Sequence, residues 1–178
     1  MAKTELHNYS VQEKLNKMDV DLIDVTVTPD NANGGAMDVG DFMFPMIEIP
    51  NAVSVAGGTA ILQSCCAIIS PMIAGAFDIV ITNDSTTLQH GGGDVVDDDD
   101  VASIQSTIGV MDGTCGFFSL TNGFDSGVVA LADKKNIGMV CKAAPGSTSL
   151  YVWGIVKNTG DYTGDVGSTV LRLGFIKD

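Results

Sequence analysis

The stretch EIPNAVSVAGGTAILQSCCAIISPMIAGAFDIVITN, residues Glu48 to Asn83, is the most apolar part of the chain and decides how the rest is read. A transmembrane helix needs about 20 unbroken apolar residues. Here Gly57-Gly58, Gln63-Ser64, Ser70-Pro71, Gly75 and Asp78 interrupt at short intervals. Between the breaks the period is two, the repeat of a strand whose side chains alternate between faces. Ile61, Cys65, Ala67 and Ile69 fall on one face of a strand from about Thr59 to Ser70. Phe77, Ile79 and Ile81 fall on one face of the next, with Asp78, Val80 and Thr82 opposite. Pro71 lacks the N–H a ladder needs and belongs to the connection. Gly57-Gly58 marks a break where positive φ or a close backbone approach is expected. The stretch therefore predicts two core strands of a sandwich, with the chain that follows adding to the same sheet.

Working outward toward the N-terminus, VDLIDVTVT (20–28) alternates Val25 and Val27 with Asp24, Thr26 and Thr28. FMFPMIEI (42–49) is another strand, and Pro45 within it predicts an edge position or a bulge. Residues 1–19 differ in character and read as an N-terminal arm, with residues 20–178 as the sandwich domain. Ser10 with Glu13 three residues on is a capping-box pattern, predicting a short helix to about Met18. Val11, Leu15 and Met18 line one face of it, preceded by Leu6 and Tyr9. A helix of about nine residues is marginal alone in water, so it must dock, either on its own domain or on a neighbouring subunit. The start has no apolar run of the kind a secretory signal carries.

Toward the C-terminus, the polar break from Asp84 to Asp100 holds three glycines and the run Asp97-Asp98-Asp99-Asp100, directly before Val101, Ile104 and Ile108. Acidic residues in a first helical turn are stabilised by its unpaired N–H groups and dipole, which predicts a short internal helix. A calcium loop is the alternative, since carboxylates suit hard cations, but the EF-hand order of ligands is absent. Asp112-Gly113 predicts a two-residue hairpin turn between TIGVM and TCGFFSL. VVALA and IGMVCKA (137–143) follow as strands, and Pro145-Gly146 predicts a type II turn into SLYVWGIVK (149–157). In the last strand Leu171, Leu173 and Phe175 share one face and Arg172 lies on the other. About nine strands without βαβ alternation predict an all-β, two-sheet antiparallel β-sandwich, jelly-roll-like, with the arm helix and one short internal helix.

Composition narrows function. Nine basic residues, one of them an arginine, face 22 acidic ones for a formal charge of −13. Phosphate recognition needs clustered Lys and Arg, so no nucleic-acid partner is expected, and the same charge disfavours anionic membranes. Cysteines 65, 66, 115 and 141 all lie in strand patterns without a C-x-x-C pair, reading as thiols of a protein made in a reducing compartment. No serine elbow, H-E-x-x-H or phosphate-loop pattern is present, so neither a catalytic role nor a cofactor is expected. One binding alternative stands: Tyr151 and Trp153 share a strand face, with Tyr162 in the next loop, as in a glycan-stacking surface; a core or subunit-interface face is the plainer account.

The series EIPNAV, AGGTAILQS, FDIVITN, STIGVM, GSTSLYVWGIV and DYTGDVGSTVLRLGFI, from about Ala36 to Ile176, resembles small virion structural proteins of tailed bacteriophages. The resemblance implies a non-enzymatic β-sandwich that assembles on a virion. The leading expectation within that group is a head decoration or cement protein, made in host cytoplasm and placed on the particle exterior by its acidic, arginine-poor composition. Its partners would be the major capsid protein lattice and further copies of itself, with a trimer the expected oligomer. A tail, collar or fibre-associated component is the alternative within that group. Leu6, Tyr9, Val11, Leu15 and Met18 are the expected interface residues.

Overall fold

A computed structural model describes residues 19–28, 37–69, 77–83, 107–113, 130–157 and 169–177. They form eight strands: β1 (Asp19–Val27), β2 (Phe42–Ile49), β3 (Thr59–Ile69), β4 (Phe77–Thr82), β5 (Thr107–Gly113), β6 (Ala130–Lys142), β7 (Leu150–Val156) and β8 (Thr169–Lys177). Two four-stranded antiparallel sheets result, in the orders β1-β8-β3-β6 and β2-β7-β4-β5. The pairing is nested. First strand bonds last, β2 bonds β7, β3 bonds β6, and β4 bonds β5. This is what one long hairpin gives when it is rolled so that alternate pairs fall in opposite sheets.

Between the sheets lies one apolar core. Val25 and Val27 of β1, Leu62, Cys65 and Ala67 of β3, Cys141 of β6 and Leu171, Leu173 and Phe175 of β8 meet residues of the opposing sheet. Those are Phe44 and Ile49 of β2, Phe77, Ile79 and Ile81 of β4, and Leu150, Val152 and Val156 of β7. The alternations read for β1, β4 and β8 are therefore the observed ones. Gly57 takes φ +70° as the break before β3 requires, and a Cβ on Gly58 would stand 2.7 Å from the Val55 carbonyl oxygen. At the predicted type II turn Gly146 has φ +83°. Its closing hydrogen bond runs from the Ser147 N–H to the Ala144 carbonyl at 3.0 Å.

Five expectations are corrected. The central stretch does not build one sheet: β3 lies in the first sheet and β4 in the second. Ile61 does not share a face with Cys65, because β3 carries one extra residue near Gln63 relative to β8, between the pairs Leu62↔Phe175 and Ser64↔Gly174. An inserted residue reverses which side chains face inward; Ala60 and Leu62 are buried before it, and Cys65 and Ala67 after it. Asp112-Gly113 is not a hairpin turn but ladder, with Asp112 opposite Asp78 and Gly113 opposite Phe77. The described end of VVALA and IGMVCKA belong to one strand, β6, whose ladder with β3 is interrupted between Lys135 and Met139, where Asn136 and Gly138 take positive φ. With TCGFFSL outside the described residues, eight strands are described. Finally, β6 and β7 lie in different sheets, so the Pro145-Gly146 turn crosses between sheets.

Pro45 meets both halves of its expectation. β2 is an edge strand, and its register with β7 shifts between Phe42 and Phe44 and again between Phe44 and Ile47. β1 begins at Asp19, one residue before the expected domain boundary. The arm helix, the internal helix after Asp100 and the TCGFFSL strand fall outside the described residues.

Candidate functional site

With the core filled, the surfaces that remain are the two outer sheet faces. They differ in kind.

On the β2-β7-β4-β5 sheet, the residues that alternate with the core set are Tyr151, Trp153 and Ile155 of β7 and Asp78, Val80 and Thr82 of β4. Val80 stands opposite Trp153 in the ladder, and Thr82 opposite Tyr151. The bulge before Phe44 turns Phe42 to the same side, where its ring centroid lies 5.3 Å from that of Trp153 at an interplanar angle of 52°. Phe42, Val80 and Trp153 form a second buried cluster, with Met46 and Ile155 against it. Trp153 is only 2% exposed, so its ring has no open face on which a sugar could stack. The pairing of Tyr151 and Trp153 on one face holds, and the plainer account of that face, a packed one, fits Trp153. Tyr151 is half-buried and Tyr162 lies outside the described residues.

This face also carries polar atoms that the chain leaves unbonded. Trp153 Nε1 and Thr82 Oγ1 are buried without a hydrogen bond, each at a cost of about 1–3 kcal/mol. Asp78 Oδ1 likewise accepts none, although Lys157 Nζ stands 3.4 Å away as an ion pair. Nearby, the Ser149 hydroxyl donates to Glu48 Oε1 at 2.5 Å.

The outer face of the β1-β8-β3-β6 sheet is open, and its side chains fall in cross-strand rows. In the first row Ile176 of β8 is opposite Ile61 of β3, which is opposite Val140 of β6. Val20 of β1 holds the fourth register position. In the second row Leu22 is opposite Gly174, Gly174 opposite Ser64, and Ser64 opposite Lys135. A Cβ on Gly174 would come within 2.4 Å of Ser64 Oγ, so a larger residue there would turn that hydroxyl aside. In the third row Asp24, Arg172, Cys66 and Asp133 follow in register. Leu22 is 65% exposed and Val140 is 64% exposed; Ile61 and Ile176 are half-buried.

Asp24 and Arg172 form a two-pronged pair, Nε to Oδ1 at 2.7 Å and Nη2 to Oδ2 at 2.8 Å. The Arg172 guanidinium, by hydrogen bonding first and charge second, holds the Asp24 carboxyl below the usual carboxylate range. Both side chains are well exposed, so water screens the pair and it adds little to stability.

At the rim of the same sheet Lys177 is buried. Its Nζ donates to Asp21 Oδ2 at 2.5 Å and to the Asn51 carbonyl, tying the ends of β8 and β1 to the turn after β2. By the alternation of β8, Lys177 falls on the side of Leu171, Leu173 and Phe175, so its burial continues the period that buries those residues. Cys65 and Cys66 point to opposite faces, and neither they nor Cys141 form a disulfide.

Leu6, Tyr9, Val11, Leu15, Met18 and Asp97 to Asp100 all lie outside the described residues. Among the described residues no three His, Cys, Asp or Glu side chains gather as a metal site requires. No described helix is long and apolar enough to cross a membrane.

No protein-family model matches the sequence, and no curated protein does. Solved structures similar to the chain include one of Desmodium yellow mottle tymovirus, at 12% identity, covering 90% of this chain and 88% of that one with a TM-score of 0.26. Another is a virus-like particle of the giant freshwater prawn Macrobrachium rosenbergii extra small virus. It is 10% identical and covers 91% of this chain and 80% of that one, again with a TM-score of 0.26. Likeness at that score carries no argument about what this chain does.

Proposed function

We propose that this chain is a viral structural protein without chemistry of its own. In the finer form of the reading it is a decoration or cement protein on the exterior of a tailed-bacteriophage head, bound to the major capsid lattice and to copies of itself. The observation that carries the reading is the open, apolar-rich outer face of the β1-β8-β3-β6 sheet on a chain of charge −13. Solvent-facing apolar groups gathered in register mark association surfaces.

The nested eight-strand order is that of a jelly roll, a fold common in viral capsid proteins, lectins and cupins. That support is analogy at the level of fold, and two details of the molecule favour the first of the three. A lectin reading would use Trp153, whose ring is buried. A cupin reading needs an open barrel interior, whereas the space between these sheets is filled by Met37, Met43, Phe44, Phe77 and Phe175. An acidic exterior keeps a solvent-facing particle protein soluble, and a protein that binds only the assembled lattice stabilises it by mass action.

Quantitative mass spectrometry of purified particles tests the reading. Hundreds of copies per particle are expected of a cement protein. A handful would move the chain to the tail or collar, and its absence from particles would overturn the reading. Removing residues 1–18 should leave a folded sandwich that no longer joins particles; unchanged incorporation would take the arm out of the account.

A further inference from the structure

We propose that the outer face of the β1-β8-β3-β6 sheet is the surface through which two copies of this chain pack together, with Ile176, Ile61, Val140 and Leu22 as its apolar anchors at the end where β8 finishes and β3 begins. The inference rests on the structural reading above and names the surface and the occupant.

Three observations carry it. The first is exposure in register: Ile176, Ile61 and Val140 form a continuous apolar row over three adjacent strands. Leu22 and Val140 each leave about two thirds of their surface open to water. Isolated surface leucines and valines are ordinary, but a row of β-branched residues with a leucine beside it is a patch.

The second is charge. Two chains that each carry −13 repel, and contact is least costly where that charge is absent. Among the described side chains, register places Arg172, Lys135 and Lys142 on this face against Asp24. A face whose described side chains carry no excess of acid, on a chain of charge −13, is where a second copy meets the least repulsion. Asp24 and Arg172 also neutralise each other within one copy, so covering them strands no single charge.

The third is area. β8 is nine residues long, about 30 Å at ~3.3 Å per residue, and four strands at ~4.8 Å spacing span about 19 Å. The face is therefore roughly 570 Å², and two such faces bury roughly 1,100 Å², just above the ~1,000 Å² at which specific association begins. A two-fold axis along the strands would lay Ile176 of one copy over Ile61 of the other, within the usual geometry of aligned sheets about 10 Å apart.

Sedimentation equilibrium of the full chain over a range of concentrations is the test. The variants are L22E/V140E, which puts two carboxylates on the face, and V39E/V55E, which adds the same charge at exposed valines elsewhere. All four positions are open to water, so both variants should keep the far-UV spectrum and unfolding midpoint of the parent. The parent is expected to self-associate, L22E/V140E to weaken that association at least about 100-fold, and V39E/V55E to leave it nearly unchanged. Equal association of L22E/V140E and the parent would place the contact elsewhere and overturn the inference. So would equal weakening by both variants, which would reduce the effect to net charge. A parent that stays monomeric also overturns it, while leaving particle content to decide the structural reading separately. Binding only to a different virion protein, blocked by L22E/V140E, would assign the face to that partner and overturn the choice of a second copy.

Discussion

Substituting Gly154 by alanine probes how tightly the two sheets are held. Gly154 lies on the inner side of β7, opposite Phe44 in the ladder. A Cβ built there would stand 2.5 Å from Phe44 Cε1, 2.9 Å from Cδ1 and 3.0 Å from Cζ. Carbon atoms rest at about 3.5–4.0 Å, so the ring would have to retreat by about 1 Å. Phe44 is fully buried, and a close-packed interior offers no void to retreat into. Overpacking of this kind costs about 1–3 kcal/mol. Gly154 is not at positive φ, so alanine adds no backbone strain there. It returns about 0.4–1 kcal/mol by restricting the unfolded chain. The expected net loss is about 1–2 kcal/mol. With a urea slope of about 2 kcal/mol/M that lowers the midpoint by about 0.5–1 M. Emission from Trp153, the one tryptophan of the chain, together with far-UV circular dichroism, follows the transition. F44L supplies the second arm of a double-mutant cycle: with the ring gone, G154A should be neutral or mildly stabilising. A neutral G154A in the parent would refute the packing of Phe44 against β7 and, with it, the register that places Trp153 on the opposite face.

Two further outcomes are expected. K177M keeps side-chain length but removes the links to Asp21 and the Asn51 carbonyl, and should cost about 1–3 kcal/mol in thermal or urea unfolding; an unchanged stability would show that the buried ammonium ties nothing together. Burial pushes the Cys141 thiol up to about 11, so at pH 8 only about one molecule in a thousand carries the reactive thiolate. Maleimide labelling followed by peptide mapping should leave Cys141 untouched in the native chain and modify it in urea, whereas native labelling as fast as that of half-exposed Cys66 would contradict its burial.

The strands of this protein were legible because their cause is local. Val25 and Val27, Phe77, Ile79 and Ile81, and Leu171, Leu173 and Phe175 each sit two apart, and a pleated backbone turns residues two apart the same way. The turn at Pro145-Gly146 was legible for the same reason, since fixed φ at one residue and positive φ at the next are properties of those residues alone. The misreadings share a different cause. The extra residue near Gln63 reverses the alternation in β3, and only the partner strand β8 shows that it is extra. Asp112-Gly113 has the residues of a tight turn, yet the competition between turn and ladder was decided by β4 lying alongside.

The association face shows the same division. Leu22, Ile61, Val140 and Ile176 are spread over the length of the chain, and each belongs to a different strand. They become a surface only through three ladders joining β1, β8, β3 and β6. By itself the sequence determined an acidic all-β chain, most of its strands and one of its turns, because charge, period and backbone preference belong to residues and their near neighbours. Which strand lies beside which, and so what stands open on each outer face, was decided by the tertiary structure. Pairing over more than a hundred residues is fixed by how the whole core closes.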